Sequence, residues 1–202
     1  MTVVAFASVP ATKSQNIRSR HQNYEVYRTP ITLIREIIDY RPSWFEGSSI
    51  DPAAGDGRMT RELQRRANDH EHHVFEIREE ERQALERLPN TNVRMENYLT
   101  ADDLPECDFM FVNPPFSLAQ QFVERAMTHC QRVIMLHSTD FMSTAGRSRW
   151  LPRSGLRNVI QIPTRPKWEV SDTASVTNCW NSACYVFEKD YVGYSINEWL
   201  ER

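Results

Sequence analysis

From Thr29 onward the apolar residues fall into two alternating rhythms. In "TPITLIREIIDY" they recur at helical spacing, with Ile31, Ile34, Ile37 and Ile38 on one stripe. Thr29 is the predicted N-cap and Pro30 the first helical residue, and the helix should stop near Tyr40, ahead of Pro42. Beyond it, short apolar runs of strand length take turns with amphipathic stretches. Strands are predicted at Ser49–Asp51, His73–Ile77, Asn92–Met95, Phe109–Asn113 and in "RVIMLH". Helices are predicted at about Met59–Asn68, in "REEERQALERL" and at Leu118–His129. Two further strands, Arg157–Ile162 and Ser182–Glu188, have no helix between them and should pair antiparallel at one edge. The alternation predicts an α/β domain built on a mostly parallel seven-stranded sheet, with an antiparallel C-terminal edge strand and helices on both faces. Residues 1–24 are polar and irregular and read as a flexible arm; residues 25–202 read as one domain.

Composition changes this picture little. A chain of 202 residues with 40% hydrophobic and 25% charged content is an ordinary soluble globular protein. No apolar run approaches the roughly eighteen residues a membrane span needs. The N-terminal "MTVVAFASVPATKSQ" has no basic region ahead of its apolar patch, which argues against a signal peptide. Cys107, Cys130, Cys179 and Cys184 form no CxxC pair and read as reduced cytosolic thiols, so a cytoplasmic location, in a bacterium or a phage-infected host cell, is expected. His70, His72 and His73 read as a solvated loop, and no metal site is expected. Net charge is −3, yet Phe141–Trp168 contains no Asp or Glu and carries Arg147, Arg149, Arg153, Arg157, Arg165 and Lys167. A one-signed segment in an acidic chain is a candidate phosphate-contacting face.

Two motifs carry chemistry. "IDPAAGDGRMT" joins the first strand to the next helix, and Gly55 and Gly57 allow a tight bend close to a ligand. Ligands of open α/β sheets sit at the carboxyl ends of strands, where this loop falls. It is neither GxGxxG nor a P-loop. Asp51 beside it repels a pyrophosphate and suits a cationic amino group. Glu76 ends the second strand 25 residues later, a spacing at which an acid accepts from ribose hydroxyls. The groove therefore suits an adenosine with a positive amino-acid tail better than NAD.

The second motif is "NPPF", Asn113 to Phe116, at the end of a fully apolar strand. Pro114 and Pro115 donate no N–H, which leaves carbonyls free to accept. A ring amino group such as N6 of adenine has its lone pair conjugated into the ring and is a poor nucleophile. If the Asn113 side-chain oxygen and the Pro114 carbonyl each accept one of its N–H bonds, the nitrogen is drawn towards tetrahedral geometry and its lone pair becomes available. Phe116 would stack on the base, which a duplex must first flip out.

Together these motifs make the chain resemble the class I S-adenosylmethionine-dependent amino-methyltransferases, in particular the gamma-type DNA adenine-N6 group. "DPAAGDG" is similar to their cofactor motif, "NPPF" to their catalytic motif, and "YRTP" at Tyr27–Pro30 to an upstream motif that closes over the methionine end of the cofactor. The resemblance covers roughly Glu25 to Glu188, and the C-terminal pieces resemble small phage-encoded members. It implies a Rossmann-like fold, S-adenosylmethionine as cofactor, and methyl transfer to adenine N6 in DNA. By the same resemblance Asn113, Pro114, Pro115 and Phe116 are catalytic. Tyr27, Thr29, Pro30, Asp51, Ala53, Gly55, Gly57, Glu76 and Asn97 would bind the cofactor. Asn97 stands where family members often carry Asp beside the cofactor adenine, and Asp102 or Asp103 could substitute.

The chain has no room for a target-recognition domain. Reading of nucleic acid then falls to Arg147, Arg149, Arg153, Arg165 and Lys167, or to a partner subunit or homodimer. Other readings stay open: methylation of RNA adenine or of a protein glutamine amide, a silent cofactor-binding module, and, less favoured, an NAD-dependent oxidoreductase.

Overall fold

The computed structural model describes residues 27–67, 69–171, 174–177 and 181–201. The expected N-terminal arm and Cys179 lie outside them. An eight-stranded sheet is flanked by helices. Its elements are α1 (Ile31–Tyr40), β1 (Ser49–Asp51), α2 (Arg58–Gln64), β2 (His72–Phe75), α3 (Arg82–Leu85), β3 (Thr91–Arg94), β4 (Cys107–Val112), α4 (Ala119–Ala126), β5 (Cys130–Ser138), α5 (Ala145–Trp150), β6 (Leu156–Ile162), β7 (Lys167–Ser171), β8 (Ala174–Thr177), β9 (Ser182–Glu188) and β10 (Ile196–Trp199). Across the sheet the order is β10-β6-β9-β5-β4-β1-β2-β3, and β7 with β8 forms a separate antiparallel hairpin.

Strict alternation of large apolar side chains explains why helices cover both faces. Met110 and Val112 of β4, Val133 and Met135 of β5, and Tyr185 and Phe187 of β9 face one core with Phe122 and Val123 of α4. Phe109, Phe111, Ile134, Leu136, Cys184 and Val186 face the other, with Ile34, Ile37 and Ile38 of α1 and Met59 and Leu63 of α2. Each such side chain stabilises the fold by about 1.5–3 kcal/mol. A strand that is apolar on both sides cannot be left uncovered on either.

The strand assignments hold with small shifts in their ends, and four details differ from expectation. The sheet has eight strands rather than seven. The antiparallel β6–β9 pair forms as expected, but β9 is inserted between β5 and β6. The edge position belongs to β10, which runs parallel to β6. Its four residues are largely exposed, so no apolar run announces it. Thr29 is buried at 3% exposure and does not cap α1; Pro30 occupies that position and its carbonyl accepts from Ile34 N–H at 3.1 Å. His72 and His73 are strand residues of β2, not a loop. His72 is buried, 2.7 Å from Ser49 Oγ through Nδ1, and burial pushes its imidazole down to about 4.

Strands on one side of β1 continue outward as β2 and β3, and on the other as β4 and β5. The reversal between β1 and β4 opens a crevice at their carboxyl ends. The loops that follow β1, β2, β3 and β4 converge there.

Candidate active site

A cleft of about 380 Å³ occupies this crevice, and Pro52–Asp56, Glu76–Arg78, Asn97, Tyr98 and Asn113 line it together with Tyr27–Thr29. The glycine loop is held by its neighbours. Ala53 N–H donates to Asp51 Oδ1 at 3.2 Å, Ala54 N–H to the Phe75 carbonyl at 3.0 Å, and Gly55 N–H to Glu76 Oε2 at 2.7 Å. Gly55 and Gly57 both have positive φ, 56° and 75°, but for different ends. An added Cβ at Gly55 would meet nothing closer than Arg78 Nη2 at 3.5 Å, so the cleft side is open. One at Gly57 would come within 2.8 Å of Leu88 and 3.0 Å of Leu85. Gly57 is outside the cleft lining; it begins α2 and lets the α3 region pack beneath the loop. Gly57 is thus a packing glycine.

Asp51 sits under the loop, 4% exposed. Burial pushes its carboxyl up to about 7, against the Ala53 N–H, which lowers it, and with Glu76 and Asp56 raising it further. Its Oδ2 is buried with no hydrogen-bond partner among the described residues. A buried carboxylate oxygen without a donor is costly, and a cationic amino group at the loop would satisfy it.

Glu76 is equally buried but fully engaged: Oε1 accepts from Ile77 and Arg78 N–H, both at 2.9 Å. The Arg78 guanidinium lies across it at 3.2 and 3.3 Å. Arg78 begins a ladder of charges along the cleft rim. It reaches Glu81 at 3.2 Å, Glu81 reaches Arg28 at 3.1 Å, and Arg28 approaches Asp56 at 3.9 Å. Asp56 holds Arg58 at 2.8 Å, and Arg58 reaches Glu169 of β7 at 2.8 Å. Burial would raise the Asp56 carboxyl, yet Arg58 and Arg28 outweigh it and hold the group below its ordinary value.

Asn113 and the Tyr27–Pro30 segment meet at the tip of β4. Asn113 Nδ2 donates to the Tyr27 carbonyl at 2.9 Å and to Thr29 Oγ1 at 3.2 Å. A carbonyl only accepts, so the amide nitrogen must face Tyr27, which fixes the flip and leaves Oδ1 as the acceptor on the other side. The segment is itself pinned: Arg28 pairs with Glu169 through both backbone bonds, at 2.9 and 3.3 Å, and Arg58 Nη1 donates to the Thr29 carbonyl at 3.1 Å. Pro115 closes a turn by accepting from Leu118 N–H at 3.0 Å, which starts the approach to α4. The Pro114 carbonyl is not part of that turn.

Asn97 lines the cleft, its Oδ1 accepting from Leu99 N–H at 3.0 Å in an Asx turn. Asp102 and Asp103 are exposed and outside the lining. Next to Asn97, Tyr98 is buried and its hydroxyl meets His129 Nε2 at 2.8 Å, which anchors the loop after β3 to the end of α4. Phe116 is half-buried, its ring edge-on to Tyr27 at 5.7 Å and to His137 at 4.9 Å.

The basic segment divides. Arg149, Arg165 and Lys167 are exposed. Arg149 lies on α5, and Arg165 and Lys167 follow the carboxyl end of β6, the sheet end that carries Asn113. Arg147 is turned inward: it donates to the Phe141 carbonyl at 3.2 Å and lies 4.3 Å over the Phe141 ring. Arg153 falls just before β6, at the opposite end of the sheet from Asn113, near which Arg157 pairs with Glu188. The segment is therefore not one continuous face around the cleft. His137, Arg78 and Tyr98 are not found from sequence, since a lone His in an apolar strand, an Arg in a charged run and a Tyr in a loop carry no signal of their own.

No family model matches the sequence, and no curated protein matches it. Solved structures do. A candidate RNA methyltransferase of Pyrococcus horikoshii superposes with a TM-score of 0.62 at 16% identity, over 89% of this chain and 98% of that one. A candidate class I S-adenosylmethionine-dependent methyltransferase of Listeria monocytogenes gives 0.61 at 11% identity, over 92% and 70%. The 23S rRNA methyltransferase ErmE gives 0.54 at 20% identity, over 80% and 68%. At these identities the likeness is one of fold, and the fold is that of the class I methyltransferases.

Proposed function

We propose that this chain transfers a methyl group from S-adenosylmethionine to the exocyclic N6 amino group of adenine in nucleic acid, DNA first. The observation that carries the reading is the fixed direction of the Asn113 amide. With its nitrogen committed to Tyr27 and Thr29, its oxygen is an acceptor oriented before any substrate arrives.

Gly55, Glu76 and Asn97 line the cleft and would hold the cofactor, and Asp51, buried beneath the loop next to the lining residue Pro52, would face its cationic amino group with Oδ2. When bound, S-adenosylmethionine supplies a methyl group on a positive sulfur, an electrophile that needs only a well-aimed lone pair. Asn113 Oδ1 and the Pro114 carbonyl each accept one N–H of the target amine, and the nitrogen lone pair is released from the ring. Phe116 supplies a face for the flipped base. The nitrogen becomes acidic as it gains its fourth bond and loses its proton to water, so no strong base is required.

RNA adenine is the second reading, supported by the names of two similar structures, one a candidate RNA methyltransferase and the other a 23S rRNA methyltransferase. The test is transfer of tritiated methyl from the cofactor into adenine-containing DNA, RNA and a glutamine peptide. Incorporation into DNA, or RNA, that disappears in Asn113→Ala supports the reading. Incorporation into the peptide alone, or into none of the three, overturns it.

A further inference from the structure

Phe116 lies between Pro115 and Ser117, which both line the cleft, and it does not stand alone. Its ring meets His137 edge-to-face, at 4.9 Å and 84°. His137 is 5% exposed at the carboxyl end of β5, and its other face lies 4.8 Å from the fully buried Phe141. Phe141 in turn carries the Arg147 guanidinium at 4.3 Å. Four side chains thus form a column from α5 to the tip of β4.

A histidine is an odd choice for such a site. Burial pushes its imidazole down to about 4, against the Ser138 and Phe116 carbonyls, which favour the charged form, so the ring is neutral at physiological pH. Nδ1 faces Ser138, with Oγ at 3.3 Å and the carbonyl at 3.4 Å. Nε2 makes no hydrogen bond of good geometry. A polar ring buried with one nitrogen poorly satisfied costs stability, and Leu would fill much of the same space without that cost. What Leu lacks is a flat ring set perpendicular to Phe116.

We infer that His137 is a positioning residue that seats the Phe116 ring in the orientation in which it receives the flipped base, with Arg147 clamping the column from the α5 side through Phe141. The inference rests on the reading of Phe116 as the target-base platform. Arg147 then acts inside the column rather than as a phosphate ligand, consistent with its contact to the Phe141 carbonyl.

The experiment places 4-fluorophenylalanine at position 116 and compares the native chain with His137→Leu, which keeps apolar volume but removes the ring, and His137→Phe, which restores a ring. Fluorine NMR reads the seating with no substrate present. A single sharp line in the native chain and in His137→Phe, shifted or split in His137→Leu, supports the seating; an unchanged line in His137→Leu overturns it. In the same variants without the label, kcat for methyl transfer to an adenine oligonucleotide should fall about three- to tenfold in His137→Leu, the worth of one aromatic pair. Cofactor affinity should be unchanged and kcat recovered in His137→Phe. Unchanged kcat with a shifted line also overturns the positioning role. A native chain inactive on every adenine polymer instead removes the proposed function, and the fluorine line still decides whether His137 seats Phe116.

Discussion

The two walls of the cleft are built from different materials. The wall on the β1–β2 side is a chain of ion pairs running from Glu76 through Arg78, Glu81, Arg28, Asp56 and Arg58 to Glu169. The side at the ends of β4 and β5 is backed by a stack of rings, Tyr27, Phe116, His137 and Phe141, of which Tyr27 lines the cleft beside the Asn113 amide. Charges can exchange partners at low cost when a polar ligand arrives. Packed rings hold a fixed shape and offer a flat face. The first wall suits a charged, hydroxyl-bearing ligand and the second a planar one, and a chain that brings the two together across a single crevice can present one to the other.

The sharpest way to break that contrast is at Asn113. Asn113→Ala should lower kcat for methyl transfer by on the order of 10²–10³-fold, as loss of one oriented dipole does elsewhere, while calorimetric affinity for the cofactor changes little. Comparable losses in both would mean that the two walls are not separable.

Next in size is Gly57→Ala. It places a Cβ 2.8 Å from Leu88 at a φ of +75°, so it should lower the melting temperature through backbone strain and overpacking, about 1–3 kcal/mol in all. Gly55→Ala, with its nearest contact at 3.5 Å, should lose only the backbone part. Equal losses would place both glycines in the same role.

Asp51 gives a pH signature. Its carboxyl rises from 3.8 to about 7, so between those values the folded chain keeps a proton that the unfolded chain has released. The stability this proton contributes is complete below the ordinary value and is lost as pH rises through 7. A bound cationic ligand needs the charged form, so its affinity should rise over the same range. Thermal melts across about pH 5 to 8, with and without S-adenosylhomocysteine, check both slopes; Asp51→Asn should flatten them.

Smallest is Arg78→Ala, which removes the guanidinium from the Glu76 carboxylate. A ribose would then meet an acceptor with no competitor, and the dissociation constant for the cofactor should fall a few-fold, while the ligand-free chain, left with a buried carboxylate short of its partner, should melt at a lower temperature. A weaker complex would make Arg78 a ligand contact instead of a competitor.

The sheet was legible because β4, β5 and β9 are apolar on both faces, and the tip at Asn113 because two prolines end a strand abruptly. The hairpin was less so. Lys167–Ser171 alternates polar with apolar residues, a strand signal eclipsed by the charge pattern around it. β10 has no apolar face to betray it. Arg153 reads as one basic run with Arg165 and Lys167, yet it precedes β6 and they follow it, so the strand sets them at opposite ends of the sheet. Gly57 shows the general difficulty: its neighbours Leu85 and Leu88 are remote along the chain, and only the packed molecule reveals what its missing side chain makes room for.

The hairpin strand β7 joins the segment at Arg28 through two backbone bonds and Glu169 joins Arg58, so residues more than a hundred positions apart close the same rim. A polypeptide emerging from the ribosome would expose the glycine loop and Asn113 well before Glu169 left the exit tunnel. Until then Tyr27 and Thr29 would lack the strap that holds them against the asparagine, and the nascent protein would carry both motifs without a finished cleft.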